Sequence, residues 1–340
     1  MPGATTAVES FDIVGTYKSL LRDDPDLTMP VAAIESLVLA LAHHPTSTIT
    51  ETLEYLKSLT DQLIASTPNP ISLSAGTDLF QRYLIASLRP GSGLGTGDFQ
   101  QVRQHLLSHG KQFAERAKAA RDQIAAFGTH FIRDGCTVLT TGGSRVVGAL
   151  LREAAEASGG SVRFKVIYVL PSASAEGKEL EGSNIVASLR HKGVPVATIP
   201  EGAVGYAMGK VDMVIVGAEG VVENGGVISR LGTYQLAMLA KVTNKPFYVV
   251  AEAHKFVRLF PLGQYDLPID QRIIDFKTEA DEKKAIEGGE EGYFAKSRSG
   301  SNGVSEAVDF TPPEYISGII TESGVLTPSA VSEELIKIWF

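Results

Sequence analysis

A change of hydrophobic periodicity near residue 136 constrains the fold of this chain more than any other feature. From that point on, short apolar runs rich in β-branched residues alternate with segments of helical spacing. The apolar runs lie at 136–139, 164–169, 195–199, 213–216 and 247–250, and the helical segments lie at 144–158, 178–191, 203–208 and 232–242. Strands that are apolar almost throughout are typical of a parallel sheet with both faces covered by helices. The pattern therefore predicts a Rossmann-like α/β domain over residues 131–340.

The first 130 residues show a different pattern, in which apolar residues lie three and four positions apart. This spacing is typical of amphipathic helices, so we expect an N-terminal helical domain over residues 1–130. The last of its helices is expected at 100–131, and the boundary between the domains at 127–134. The fold class is thus α/β, with a helical domain in front of a parallel sheet.

The C-terminal part of the chain contains three further signals. Residues 276–305 are charged, rich in Gly and Ser and poor in apolar residues, which predicts a disordered surface loop. Beyond this loop, residues 318–321 are expected to add a strand. The tail is expected to form a helix with Thr327 as its N-cap and Pro328 at its first position. On that helix, one face would carry Val331, Leu335, Ile338 and Trp339.

The composition argues against several classes of function. Cys136 is the only cysteine, so no internal disulfide can form, and its apolar strand indicates a buried structural thiol. A net charge of −8 without a basic block argues against direct nucleic-acid binding. The N-terminus has no signal-peptide pattern and no stretch approaches the ~18 apolar residues of a membrane helix, so we expect a cytoplasmic protein with no membrane contact. The histidines lack metal-ligand spacing, so neither a metal nor a cofactor is expected.

The first candidate for a functional site is the segment 140–145, which follows a predicted strand and opens a predicted helix. The backbone N–H groups of Gly142 and Gly143, at the positive end of a helix, could hold an anion beside Ser144 and Arg145. The segment lacks the full dinucleotide fingerprint and the P-loop lysine. From the residues alone, an ordinary strand-to-helix turn in which Ser144 is the N-cap is the favoured alternative.

Other candidates lie on later and earlier loops. Glu219, followed by a Gly-rich stretch at 223–226, could bind a sugar hydroxyl or act as a base, or it could only cap a turn. Arg230 could close the same crevice or be a solvated surface residue. Arg82, on a helix of the N-terminal domain, could reach into the crevice or extend along the surface. Because ligands of open α/β sheets bind outside the carboxyl ends of strands, the loops of the sheet domain are expected to line one crevice.

A more specific signal begins at Val214. The strings VIVGAEGVVENGGVISRLGTYQLAMLAK and NKPFYVVAEAHKFVRLFPL closely resemble the core shared by the alpha, beta and delta subunits of initiation factor 2B. Those subunits are similar to the methylthioribose-1-phosphate and ribose-1,5-bisphosphate isomerases. Three further strings, VAAIESL, FIRDGCTVLTTGGSRVVGALL and GVLTPSAVSEELIKIWF, resemble the alpha subunits in particular. The resemblance covers nearly the whole chain and is weaker at 90–97, 171–182 and 276–305.

The resemblance implies that isomerase chemistry has been lost. The isomerases carry a Cys at the position of Gly142 and an Asp at the position of Glu219, and they have Asn–Lys where this chain has Ser229–Arg230. Glycine has no side chain that could carry a proton, so it cannot replace a thiol in acid–base work. We therefore expect a protein that is not an enzyme but retains a relic crevice for a phosphorylated small molecule, such as a sugar phosphate or a nucleoside monophosphate. The alternative is an active aldose–ketose isomerase that uses other residues.

The same resemblance implies a non-catalytic regulatory subunit of the guanine nucleotide exchange factor for translation initiation factor 2. The partners implied are a second copy of the chain, the beta, gamma, delta and epsilon subunits of factor 2B, and the phosphorylated alpha subunit of initiation factor 2. Sensing of that phosphorylated subunit would inhibit translation under stress. The homodimer is expected to form through the α/β domain, with ENGGVISRLGTYQLAMLAK and the terminal IKIWF at or beside the interface.

Overall fold

A computed structural model describes residues 11–24, 27–43, 48–67, 69–87, 99–157, 162–171, 180–269 and 307–339, together with residues 271, 273, 274, 276 and 278. The chain divides into two compact units, Met1–Lys118 and Ala119–Ile338. The division falls within one long helix, and the predicted domain boundary at 127–134 lies near the end of that helix and stays a prediction. The loop predicted at 276–305 lies outside the described residues except for 276 and 278.

The first unit is helical, as the sequence predicts. Its helices α1 to α5 span Ile13–Asp23, Met29–His43, Ile49–Ala65, Ile71–Ser87 and Phe99–Gly128, and the last of them continues into the second unit. Helix α2 contacts α1, α3 and α4, and it buries Ile34 and Leu37 completely. A helix that is apolar on most of its sides needs neighbours on most of its sides, which is why α2 packs against three other helices. The side chain of Thr48 caps α3 by accepting the N–H of Glu51 at 3.1 Å.

The second unit contains a seven-stranded sheet. Its strands are β1 (Thr137–Thr141), β2 (Lys165–Leu170), β3 (Val196–Pro200), β4 (Met213–Gly217), β7 (Phe247–Val250), β10 (Gly318–Thr321) and β11 (Gly324–Leu326), in the order β11-β10-β7-β4-β1-β2-β3. All neighbouring pairs are parallel except β10 with β11. The predicted parallel sheet is therefore confirmed, with strand limits within two residues of the apolar runs.

Helices α6 to α10 accompany this sheet and span Arg145–Ala157, Ser183–His191, Val204–Ala207, Thr233–Val242 and Val331–Trp339. Consecutive residues of β4 are buried, which shows that both faces of the sheet are covered. The helix predicted at 203–208 is shorter, because 3₁₀ turns at Glu201–Ala203 and Met208–Lys210 flank α8. None of the helices in the described ranges combines the length and apolarity that a membrane span requires.

A second, four-stranded sheet was not predicted. Its strands are β5 (Gly220–Val222), β6 (Val227–Arg230), β8 (Phe256–Val257) and β9 (Val308–Thr311), in the order β8-β5-β6-β9. Strands β5 and β6 form an antiparallel hairpin, and β9 pairs antiparallel with the outer side of β6. This sheet matters for function because it fixes the position of Arg230 at the end of β6.

The free edge of β9 is occupied by two glutamine side chains. Gln264 accepts the N–H of Phe310 at 2.7 Å and donates to the carbonyl of the same residue at 2.6 Å. Gln271 does the same for Val308, at 2.9 and 2.8 Å. Each side-chain amide therefore satisfies one backbone donor and one backbone acceptor that face away from β6.

The C-terminal helix starts later than predicted. Pro328 begins a 3₁₀ turn, Pro328–Ala330, and the α-helix follows at Val331. The hydroxyl of Thr327 caps no backbone N–H group and instead lies 3.1 Å from that of Ser329. The buried face of α10 contains Val331 and Leu335, as predicted, whereas the side chains of residues 338 and 339 lie outside the described ones.

Candidate functional site

The turn between β1 and α6 forms one wall of the candidate site. Gly142 has a φ of +74°, in the left-handed region that favours glycine, and a Cβ placed on it would lie 3.6 Å from Cγ of Arg230. The hydroxyl of Tyr168, a fully buried side chain on β2, donates to the carbonyl oxygen of Gly142. Burial, and then the nearby charge of Glu181, raises the pKa of Tyr168, so this hydroxyl keeps its proton and its hydrogen bond.

Ser144 occupies the cap position of α6. Its carbonyl accepts the N–H of Gly148 at 2.9 Å, and its hydroxyl accepts that of Val147 at a long 3.4 Å. A Cβ at Gly217, the last residue of β4, would lie 2.2 Å from the Ser144 hydroxyl oxygen. The ends of β1 and β4 therefore meet at this point, as the rule for parallel sheets predicts. Arg145 is exposed at the first position of α6.

The centre of the site is a cluster of one guanidinium and two carboxylates. The N–H of Gly143 donates to Oε1 of Glu181 at 2.9 Å, and Nε of Arg230 donates to the same oxygen at 3.1 Å. Nε of Arg230 also lies 3.9 Å from Oε1 of Glu219. The three charged side chains are 25 to 33% exposed, so the cluster is open to solvent on one side. The structure thus brings together the predicted Gly142, Gly143, Glu219 and Arg230.

Glu181 was not among the predicted site residues. It lies at the carboxyl edge of the sheet, between β2 and α7, directly before Gly182. Applying the strand-end rule to β2, as it was applied to β1 and β4, would have pointed to this region. Glu181 nevertheless lies eleven residues past Leu170, the last residue of β2, so no local pattern identifies it.

The backbone around Arg230 is held by several hydrogen bonds. Its carbonyl accepts the hydroxyl of Thr233 at 2.6 Å. At the start of α9, Oδ2 of Asp309 accepts the N–H groups of Gly232 at 2.7 Å and Tyr234 at 3.1 Å. Burial raises the pKa of Asp309 to about 7, although these backbone hydrogen bonds act in the opposite direction. Asp309 on β9 therefore positions the loop that follows Arg230.

One predicted feature does not join this cluster. The Gly-rich stretch 223–226 is the hairpin turn between β5 and β6, at the end of the hairpin remote from Arg230, so the expectation that it faces the crevice is wrong. There, Asn224 accepts the N–H of Gly226, and Glu223 lies 3.6 Å from Arg258. Arg82 is half-buried on α4, in the first unit, and its reach into the crevice stays a prediction.

A second group of charged residues directly follows the carboxyl ends of β7 and β10. Glu252 is buried, and although burial acts to raise its pKa, the neighbouring Lys255 at 3.0 Å and His254 lower it to about 2. Burial lowers the pKa of His254 to about 4. Both carboxylate oxygens of Glu322 accept the N–H of Ala253 at 3.1 Å. Within the described ranges, no three His, Cys, Asp or Glu side chains are grouped as metal ligands would be.

Comparisons with known proteins agree with the sequence resemblance. The model of the initiation factor 2 subunit family matches residues 22–328. Translation initiation factor eIF2B subunit alpha of Dictyostelium discoideum is 33% identical over 343 residues, covering 97% of this chain and 98% of that protein. Ribose 1,5-bisphosphate isomerase of Archaeoglobus fulgidus is 28% identical over 275 residues, covering 81% of this chain and 77% of that protein.

The fold is also found in a solved structure, the tetrameric eIF2B-beta2-delta2 complex from C. thermophilum. The superposition has a TM-score of 0.68 at 17% identity and covers 98% of this chain and 99% of that one. The family match spans both compact units, and the alpha-subunit relative matches from end to end. This chain therefore belongs to the initiation factor 2 subunit family.

Proposed function

We propose that this protein is a non-catalytic regulatory subunit of the guanine nucleotide exchange factor for translation initiation factor 2. The observation that carries the proposal is the 33% identity to an eIF2B alpha subunit over almost the whole of both chains. In this role the protein forms a homodimer and joins the beta, gamma, delta and epsilon subunits. It helps the complex to sense the phosphorylated alpha subunit of initiation factor 2 in the cytoplasm.

The position of the only cysteine supports the absence of isomerase activity. Cys136 precedes β1, whereas Gly142 follows that strand, so about six residues of extended chain, roughly 20 Å, separate the thiol from the crevice. Cys136 is buried, and burial raises its pKa, which leaves the thiol protonated and unreactive. No thiol is therefore available for acid–base work beside Arg230.

The crevice itself retains groups that suit a phosphorylated small molecule. The N–H of Gly143 and the guanidinium of Arg230 are donors of the kind that bind phosphate oxygens. The carboxylate of Glu219 is an acceptor for sugar hydroxyls. Ser144 and the exposed Arg145 flank these groups at the start of α6. A sugar phosphate or a nucleoside monophosphate would thus bind in this crevice, with its phosphate at Gly143 and Arg230.

A reconstitution experiment tests the regulatory role. Release of labelled GDP from initiation factor 2 is measured with the beta, gamma, delta and epsilon subunits alone and after addition of this chain. We expect the chain to make exchange sensitive to phosphorylation of the factor 2 alpha subunit. Exchange that is equally fast with phosphorylated and unphosphorylated factor, with the chain present in the complex, contradicts the proposal.

The alternative is an aldose–ketose isomerase that uses carboxylates, and one observation favours it. Glu181 and Glu219 both lie within 4 Å of Arg230, and a pair of carboxylates can act as acid and base. Assays with ribose-1,5-bisphosphate and methylthioribose-1-phosphate separate the two functions. A turnover of about 1 s⁻¹ or more would establish the isomerase, because about 1 s⁻¹ is the lower limit of the ordinary range for enzymes.

A further inference from the structure

The anion donors of the crevice already have an occupant, which is a side chain of the same protein. The N–H of Gly143 and Nε of Arg230 both donate to one oxygen, Oε1 of Glu181, at 2.9 and 3.1 Å. Two convergent donors on a single oxygen are what a phosphate oxygen would receive in the same place. The carboxylate of Glu181 therefore stands where the ligand phosphate of the proposed function would bind.

The space beside Gly143 is shaped for this side chain. The φ of Gly143 lies outside the left-handed region, so its backbone conformation does not require glycine. A Cβ at this position, however, would lie 2.9 Å from Cγ of Glu181, which is too close for two carbon atoms. Gly143 thus leaves room for the stem of Glu181, whereas any larger residue would push the carboxylate away from its two donors.

The backbone that follows Glu181 packs against a buried side chain, whereas the Glu181 side chain itself is one-third exposed. The next residue, Gly182, has a φ of +89°, and a Cβ on it would lie 2.6 Å from the ring of Tyr168. Tyr168 in turn donates to the carbonyl of Gly142. The start of α7 therefore packs against the turn at Gly142, and rotation of the Glu181 side chain would free the two donors.

Charge makes this occupancy selective. Arg230 lies within 4 Å of the carboxylates of Glu181 and Glu219, so its positive charge is already matched by two negative ones. A phosphate monoester that approached with Glu181 in place would meet like charges at close range. A neutral sugar would meet no such repulsion.

We propose that Glu181 is the specificity-determining residue of this crevice, because it competes with the phosphate group of a ligand for Gly143 and Arg230. This inference rests on the proposed binding of phosphorylated small molecules. A phosphorylated ligand binds when the Glu181 side chain turns outward, and the affinity of the crevice for phosphate is lowered by the work of displacing it. A change that neutralises or removes this carboxylate raises the affinity for phosphorylated ligands and leaves the affinity for neutral sugars nearly unchanged.

Calorimetry with ribose 5-phosphate and with ribose tests the inference on the full-length protein. Glu181→Gln keeps the shape and the acceptor oxygen but removes the charge, and Glu181→Ala removes the side chain. We expect each variant to bind ribose 5-phosphate about tenfold more tightly than the wild type, which corresponds to about 1.4 kcal/mol. Glu223→Gln is the matched control, because Glu223 lies at the remote end of the hairpin, and it should bind as the wild type does. Melting curves of all variants confirm that they are folded.

The possible outcomes separate this inference from the proposed function. Tighter binding of ribose 5-phosphate by both Glu181 variants supports the inference, including the case in which the wild type shows no measurable binding. If Glu181→Gln leaves the affinity for ribose 5-phosphate unchanged or lowers it, the proposed competition is refuted, whereas the proposed binding of phosphorylated ligands is not. If neither the wild type nor either variant binds ribose 5-phosphate, AMP or inorganic phosphate at millimolar concentration, both proposals fail.

Discussion

Replacing Asp309 with Asn tests whether burial of one carboxyl group controls the stability of the loop after Arg230. Asp309 is 6% exposed, and its Oδ2 accepts the N–H groups of Gly232 and Tyr234 at the start of α9. Burial raises the pKa of Asp309 from 3.8 to about 7. A carboxyl group whose pKa is raised on folding stabilises the folded state fully below its unfolded pKa. That contribution is lost as the pH rises through the folded pKa.

The magnitude follows from this shift. One unit of pKa difference corresponds to about 1.4 kcal/mol, so a shift of about three units corresponds to about 4 kcal/mol. Between about pH 5 and about pH 8, proton release by the folded state accounts for about 3 kcal/mol of this total. Asparagine has no proton to release in this range, yet its side-chain oxygen can accept the same two N–H groups. The free energy of unfolding of Asp309→Asn, minus that of the wild type, should therefore rise by about 3 kcal/mol over this range.

Urea unfolding of both proteins at several pH values, followed by circular dichroism and by fluorescence, measures this difference. Asp212→Asn is the matched control, because Asp212 accepts the N–H of Thr137 at 2.8 Å at an exposed position. The control shows how much of any pH dependence comes from replacing an aspartate at an exposed position. A level difference for Asp309→Asn, or one that falls toward alkaline pH, would refute the argument that burial outweighs the helix terminus at Asp309.

Three further predictions concern stability. Gly225→Ala should cost about 3 kcal/mol, because φ is +83° and the new Cβ would lie 2.1 Å from the carbonyl oxygen of Pro328. Gly193→Ala, with a φ of +79° and no atom within 4 Å of the new Cβ, should cost only about 1 kcal/mol, and equal losses would contradict the clash. His254, neutral in the fold with a pKa lowered to about 4, should make unfolding easier as the pH falls from about 6.5 to about 4, and His254→Gln should remove this part of the acid sensitivity in urea titrations. Leu335→Ala on the buried face of α10 should lower the free energy of unfolding by about 3 kcal/mol, and a loss below about 1 kcal/mol would show that this face is not packed as described.

The main sheet could be predicted from the sequence because its physical cause is local. Strands such as β4 are apolar at consecutive positions, since both faces are covered, and this pattern is visible in any short window. The second sheet could not be predicted in the same way. Its strands have two to four residues, and β9 pairs with β6 across 78 to 84 residues of sequence. Pairing over such a separation leaves no periodic trace in either segment.

The site was predictable to the extent that strand ends determine it. Gly142, Gly143 and Glu219 follow parallel strands, which bring their carboxyl ends to one edge, whereas Arg230 reaches them from β6 of the second sheet. Glu181 was not predicted as a site residue, because its role depends on the contact of its carboxylate with Arg230 and not on its neighbours in the sequence. The lack of a thiol in the crevice could be predicted from Gly142 alone. The contact of Glu181 with Gly143 and Arg230 is visible only from the distances between their atoms.

The two glutamines that occupy the edge of β9, Gln264 and Gln271, affect how this protein can associate. Their amides already satisfy the outward hydrogen-bonding groups of Val308 and Phe310, so an incoming strand would have to displace four hydrogen bonds before it could form its own. The turn that carries Gln264 instead presents the exposed side chains of Leu262 and Tyr265. Pairing of another β-strand with this edge, which would not depend on the sequence of that strand, is therefore disfavoured. Contacts made there would depend on side-chain shape, which can distinguish one subunit from another.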